Sequence, residues 1–495
     1  MVNYYFVQII AAKAFRWICC IKKETLMSDR YLDRVRNVRD TLNSVGHGFC
    51  LQKWRHETLY LHMGDNHSCY HPRPQRIPLD EITENPSALH NTKWKKQQRK
   101  IMLEGGRPEE CYYCWNVENL PGEHFSDRMF HNASTWIDAK AETEMVRNLP
   151  WDQDYNPYFL EVSFGNGCNF KCGYCCPQAS SLWEQEIREH GNYDISYNQY
   201  GIDYLKNTKV YRDDEQNPYV DAFWKWWPDL KKDLRVLRLT GGEAMINPNT
   251  MKLMKMLEEG DDTQHLELNL NSNMGVANSR VIRMAESVRN LLDKKKIKDF
   301  KLYTSLEAWG PQAEYMRRGL NQDLWLQNVE TYLEMVPDAA ISIMCTYNIL
   351  CVASFRPFLE KILELRKKWN TNPWQNRIMF DTPYLKEPPH WMINLLPKEE
   401  FGKYIDSDLL FIQDNLITDG LVHGFQEQEY EKMKRVRNYF YQGGARISDE
   451  LILNGRKDFY KFFTEYDNRS VGLGLLELFP QYKDFYYMCK ELNNG

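Results

Sequence analysis

Beyond residue 157, short apolar runs rich in Val, Ile, Leu, Phe and Tyr alternate with longer stretches whose apolar positions recur at helical spacing. The runs predict strands over Phe159–Phe164, Val236–Thr240, Leu266–Asn271, Phe300–Ser305, Ile341–Tyr347 and Arg377–Thr382. Between them the pattern predicts helices at about 179–190, 248–259, 278–295, 312–335 and 354–369. The second is well punctuated, with Asn247 as a cap, Pro248 at the first helical position and Gly260 at its end. Six strands alternating with helices imply an α/β fold with a parallel sheet and right-handed crossovers, a partial (β/α)6 barrel. Chemistry collects at the C-terminal ends of strands in such a fold. The connection from about 177 to 234 is long, and it predicts an added helix, Asp221–Leu230, over the barrel mouth. From 398 to 495 the pattern is helical and polar, without a chemical motif.

Residues 28–150 have another texture. Four spaced cysteines stand among many turn residues and only short periodic segments, which describes a loop-rich module that a metal holds together. The apolar stretch Met1–Ile21 is interrupted by Lys13 and Arg16, too short and too charged for a spanning helix, and it lacks a small-residue cleavage site. Residues 1–27 therefore read as an upstream extension. The expected organisation is 1–27 extension, 28–150 cysteine-rich module, 151–397 barrel and 398–495 helical region. A hydrophobic fraction of 43% with 26% charged residues excludes a disordered or membrane-embedded chain. A net charge of −5 supplies no electrostatic reason for a nucleic-acid or anionic-membrane partner, and the cytoplasm is the expected location.

The thirteen cysteines change the picture most: their number is odd and several are bunched at two- and three-residue gaps, a poor disulfide framework and a good metal-ligand set. Cys168, Cys172 and Cys175 follow the first predicted strand directly. Three thiolates on one loop reach three corners of a cubane cluster and leave the fourth iron open for catalysis. Gly165, Gly167 and Gly173 let the loop wrap such a cluster, and Cys176 falls outside the spacing. A structural zinc loop is the alternative that the residues alone allow. At the end of the second predicted strand stand Gly241, Gly242 and Glu243, a turn that permits close backbone approach and offers a carboxylate as acceptor.

The CxxxCxxC spacing, with Tyr174 just before its last cysteine, resembles the signature of the radical S-adenosylmethionine superfamily. The resemblance implies a [4Fe–4S] cluster on Cys168, Cys172 and Cys175, S-adenosylmethionine bound to it, Tyr174 beside the adenine, and Gly241-Gly242-Glu243 at the cofactor's ammonium group. Ser272-Asn273 stands where relatives carry a Thr-Asn-Gly-like turn, although Met274 replaces the glycine. Ser305 and Glu307 resemble the ribose-binding segment. Arg317, within Tyr315-Met316-Arg317-Arg318-Gly319, resembles an arginine that pairs with the cofactor's carboxylate. Upstream, Cys50, Gly64 and Cys69 form a C-x13-G-x4-C pattern, which with Cys111 and Cys114 resembles the twitch and SPASM extensions that ligate auxiliary clusters. Here the pattern precedes the barrel, and the further cysteines of a full SPASM module are missing. It implies one auxiliary [4Fe–4S] cluster, with a four-cysteine zinc site as the alternative. His67 and His71 flank Cys69 and could replace a ligand, but they read as exposed turn residues.

The implied activity is reductive cleavage of S-adenosylmethionine to a 5′-deoxyadenosyl radical that takes hydrogen from a substrate at the barrel mouth. A peptide or protein substrate is expected, with a small molecule or nucleotide as the alternative, and an electron donor such as flavodoxin or ferredoxin. A non-catalytic iron–sulfur electron carrier or sensor is the alternative outside enzymes, against which the intact Gly241-Gly242-Glu243 speaks.

Overall fold

In a computed structural model of the chain, residues 31–260, 262–370, 376–418, 423–444 and 447–494 are described, so the extension expected over 1–27 lies outside them. The chain divides into two compact units. The first takes the described residues up to Leu59 with Asp65–Leu160 and Asp221–Arg235; the second takes Tyr60–Gly64, Glu161–Val220 and the described residues from Val236 onward.

The second unit is built on β1 (Phe159–Ser163, from Glu161 on), β2 (Val236–Thr240), β3 (Glu267–Ser272), β4 (Asp299–Ser305), β5 (Ile341–Met344) and β6 (Ile378–Asp381), adjacent in sequence order. From β2 to β6 every neighbouring pair is parallel, with Leu239 opposite Leu270, Ser272 opposite Thr304, Ser305 opposite Met344 and Met344 opposite Asp381. The register aligns the C-terminal ends on one edge, where the candidate residues follow. Alternating Leu237 and Leu239, Leu268 and Leu270, Phe300 and Leu302, Ile341 and Ile343, Ile378 and Phe380 are buried, as a helix-covered parallel sheet requires. All six strands stand where the apolar runs place them, with no end moved by more than three residues. β6 is an end of the sheet order, so the barrel is partial.

Between the strands run α1 (Ser181–His190), α2 (Pro248–Glu259), α3 (Asn278–Asp293), α4 (Gln322–Met335) and α5 (Arg356–Trp369). Asn247 caps α2 by accepting from the Asn249 N–H at 2.9 Å, and Gly260 donates back to Met256 O at 3.0 Å. The single helix expected over 312–335 is two. A short helix, Pro311–Met316, stops where Arg317–Arg318 pairs antiparallel with Lys171–Cys172, and α4 begins after Gly319 (φ 106°). A tertiary strand pair thus overrides local helix propensity. The helices α6 (Lys398–Asp414), α7 (Glu427–Gln442) and α8 (Asp449–Asn468) lie in the second unit, and α8 buries Phe459, Phe462, Phe463 and Tyr466 beneath a polar outer texture.

The added helix runs Pro218–Asp233, and from Asp221 it belongs to the first unit, where Trp226 donates to Asn156 Oδ1 at 3.0 Å. That unit also has apolar packing of its own. Val35, Leu42, Phe49, Leu51, Trp54, Met102 and Val146 form a buried apolar cluster. Beside it Glu57, Lys95, His90 and Arg99, each at most 1% exposed, pair with one another. Charges so buried persist only when paired. Among the described residues no helix is long and apolar enough to cross a membrane.

Candidate functional site

The chain leaves β1 into a loop that two neighbours hold. Gly242 donates to Gly165 O at 3.2 Å and Glu243 to Gly167 O at 2.8 Å, so the turn after β2 is bonded to the cysteine loop backbone to backbone. A Cβ on Gly242 would lie 2.3 Å from Gly167 O, and one on Gly241 (φ 128°) 2.7 Å from Gly165 O. The close approach that these glycines permit is therefore that of the cysteine loop itself. On the other side the Lys171–Cys172 ribbon pairs with Arg317–Arg318, and Gly173 donates to Met316 O at 2.9 Å.

Two of the three sulfurs meet this frame. Cys168 Sγ accepts from the Phe170 N–H at 3.4 Å and from Asn273 Nδ2 at 4.0 Å; Cys172 Sγ accepts from Arg317 Nη1 at 3.3 Å. Cys175 donates its N–H to Cys172 O at 2.9 Å, closing the turn that carries both. Burial pushes the Cys168 thiol up to about 12 and raises Cys172 as well, with the Arg317 charge opposing the rise. Binding a metal requires such thiols to give up their protons. Three soft donors on one loop with N–H groups aimed at two of the sulfurs fit a [4Fe–4S] cluster. Among the described residues no three His, Cys, Asp or Glu side chains converge as on a single ion; a cubane is held instead by separate irons at separate corners.

The remaining candidates follow at successive strand ends. Glu243, 1% exposed, accepts from the Met245 N–H at 2.9 Å and the Asn273 N–H at 2.6 Å, tying the end of β2 to that of β3, and burial holds its carboxyl above the ordinary range. Asn273 Nδ2 donates to Asn169 Oδ1 at 2.8 Å. Met274 occupies the left-handed region (φ 53°), the conformation for which a glycine is expected, and Asn328 of α4 fastens the turn by donating to Met274 O and Val276 O at 2.8 Å each. Ser305 closes β4. Glu307 and Arg317 form a buried bidentate pair, Nε to Oε2 and Nη2 to Oε1 at 2.6 Å each. Tyr174, half-buried, has its ring 5.5 Å from the Arg317 guanidinium and edge-on to Trp391 at 5.5 Å. The structure thus gathers Cys172, Tyr174, Glu307 and Arg317 on one side of the loop, and Cys168, Glu243 and Asn273 on the other.

In the first unit Cys50, Cys69, Cys111 and Cys114 line one small cavity of about 30 Å³ with His71, Asp127 and His131. Burial raises all four thiols, Cys111 to about 11 and Cys114 to about 12. Asn132 Nδ2 donates to Cys50 Sγ at 3.5 Å. Gly64 does not join them; it turns a hairpin (φ 79°) with the Tyr219 ring where its Cβ would stand. The flanking histidines are not the exposed pair expected. His67 is buried, with Nδ1 against Cys69 O, and His71 stacks on Tyr113 at 3.7 Å and pairs with Asp127.

Spacing gave no sign of Asn132 or Asn328, which reach their sites from distant elements, nor of Trp183, whose Nε1 donates to Cys172 O at 2.8 Å from the helix that follows the loop. Residues 162–353 match the Radical SAM superfamily. Over 113 residues the chain is 26% identical to a GTP 3′,8-cyclase of Trichormus variabilis and 24% identical to one of Rippkaea orientalis. Each match covers 23% of this chain and 27% of the relative, so the chain spans about a quarter of the length of the curated relatives it matches.

Proposed function

With residues 162–353 a Radical SAM superfamily domain, we propose that the chain is an enzyme that cleaves S-adenosylmethionine reductively, with Cys168, Cys172 and Cys175 holding the cluster. That superfamily implies a [4Fe–4S] cluster and S-adenosylmethionine, and when bound they supply a one-electron cleavage whose 5′-deoxyadenosyl radical abstracts hydrogen. The observation that carries the reading is the clamp between the two motifs: the amides of Gly242 and Glu243 bonded to the carbonyls of Gly165 and Gly167. It brings a strand-end carboxylate to the three-thiol loop. Glu243 and Asn273 fix the β2 and β3 turns around Cys168, while Tyr174 supplies an aromatic face beside Cys172. By the resemblance, Tyr174, Gly241, Gly242, Glu243, Asn273 and Ser305 line the cofactor's place.

The four cysteines around the first-unit cavity support a second, auxiliary [4Fe–4S] centre of the twitch or SPASM kind, with zinc as the alternative. That likeness favours a peptide or protein substrate. The activity of the curated relatives favours a second reading, a nucleotide. The reading calls for an electron donor such as a flavodoxin or ferredoxin, and the unpaired state of the described cysteines suits the cytoplasm.

Anaerobically reconstituted protein given dithionite and S-adenosylmethionine is expected to release 5′-deoxyadenosine slowly without substrate, and replacement of Cys168, Cys172 or Cys175 by Ala to abolish the release. Persistence in all three variants sinks the reading. Acceleration by GTP, but not by peptides, assigns the nucleotide class.

A further inference from the structure

Arg317 stands opposite Cys172 in the antiparallel ribbon, so its backbone position relative to the cysteine loop is set by the pairing. Its side chain is nearly buried and every edge of the guanidinium is engaged. Nε and Nη2 grip the two oxygens of Glu307 at 2.6 Å each, and Nη1 points at Cys172 Sγ, 3.3 Å away. Glu307, 1% exposed, is held in turn by the Thr346 N–H, which donates to Oε1 at 3.2 Å. The chain of contacts therefore runs from the end of β5, through the carboxylate that follows β4, to the arginine and on to a sulfur of the candidate cluster loop. The resemblance implied two other tasks, ribose binding for Glu307 and capture of the cofactor's carboxylate for Arg317. The fork that would grip a carboxylate already grips one.

We propose that Arg317 and Glu307 are positioning residues that set the reduction potential of a cluster bound through Cys172, instead of anchoring the cofactor's carboxylate. This rests on the assignment of Cys168, Cys172 and Cys175 as cluster ligands. A cation donating a hydrogen bond to a ligand sulfur favours the more electron-rich, reduced cluster and raises its potential. The carboxylate paired with that cation places a negative charge in the same poorly screened surroundings and opposes the effect. The two partners therefore pull in opposite directions. A pair that served only to hold the fold would not.

The test is a redox titration of the [4Fe–4S]²⁺/¹⁺ couple, followed by electron paramagnetic resonance, on full-length reconstituted protein without S-adenosylmethionine. The relevant signal is the one missing from the Cys168→Ala/Cys172→Ala/Cys175→Ala variant. Arg317→Gln is expected to move its midpoint downwards and Glu307→Gln upwards, with iron at this site unchanged in both. Should Arg317→Gln lose iron, Arg317→Lys serves in its place, since it keeps the charge and loses the fork; its midpoint should fall between Arg317→Gln and the wild type. Midpoints at the wild-type value, or shifted in one direction for both residues, overturn the proposal alone. If the wild type shows no signal that depends on Cys168, Cys172 and Cys175, the cluster assignment falls and this inference falls with it.

Discussion

His390 is fully buried, packed against Phe462 at 4.3 Å and Tyr200 at 5.9 Å, and neither ring nitrogen has a hydrogen-bond partner among the described residues. Burial holds its pKa down to about 3, and that of His62 to about 4. An unfolded histidine binds its proton near pH 6.5, whereas these stay neutral well below that, so the unfolded state takes up more protons and stability falls as the pH drops below about 6.5. The loss is about 2 kcal/mol per such histidine at pH 5. Denaturant unfolding at pH 7.5 and 5.0 should show it, and His390→Phe should narrow the gap by roughly that amount. An unchanged gap would count against a neutral, buried His390. Nothing in the sequence marked this residue, because burial arises from α8, whose Phe462 lies seventy-two positions away.

At the scale of elements, the turn after β2 and the cysteine loop act as one piece. Gly242→Ala puts a methyl group 2.3 Å from Gly167 O and 2.6 Å from Asn166 O, both backbone atoms that cannot step aside. The expected cost is about 1–3 kcal/mol, with weaker iron retention at Cys168, Cys172 and Cys175. Gly191→Ala is the comparison: φ is 82° and ψ −169°, a backbone conformation almost confined to glycine, but nothing lies within 4 Å, so it carries only that backbone penalty, about 1–3 kcal/mol, and should leave iron binding alone. Melting temperature and iron per chain check both. Equal iron loss in the two variants would refute a specific clamp. Strand positions and the ends of α2 were legible because hydrophobic runs and capping residues are local signals. The break at Arg317–Gly319 was not, because the strand it pairs with, Lys171–Cys172, is remote in the chain.

For the whole molecule, the two units make separate claims on metal. If the first-unit cavity holds a second cubane, the reconstituted chain should carry about eight iron and eight sulfide, and the triple Cys168/Cys172/Cys175→Ala variant about four of each. A variant free of iron with about one zinc would instead establish the zinc reading. Chelation should loosen the residues around Cys50, Cys69, Cys111 and Cys114 without unfolding their unit, since that unit has its own apolar cluster and paired charges. Hydrogen exchange over 50–130 reads this directly. The sequence alone determined the α/β alternation, the three-thiol loop and its place after β1, since periodicity and cysteine spacing act over a few residues. Tertiary structure alone decided that Gly241 and Gly242 receive the cysteine loop, that Arg317 faces Cys172 while gripping Glu307, and that four scattered cysteines share one cavity. Those are contacts between elements far apart in the chain, and packing, not local propensity, sets them.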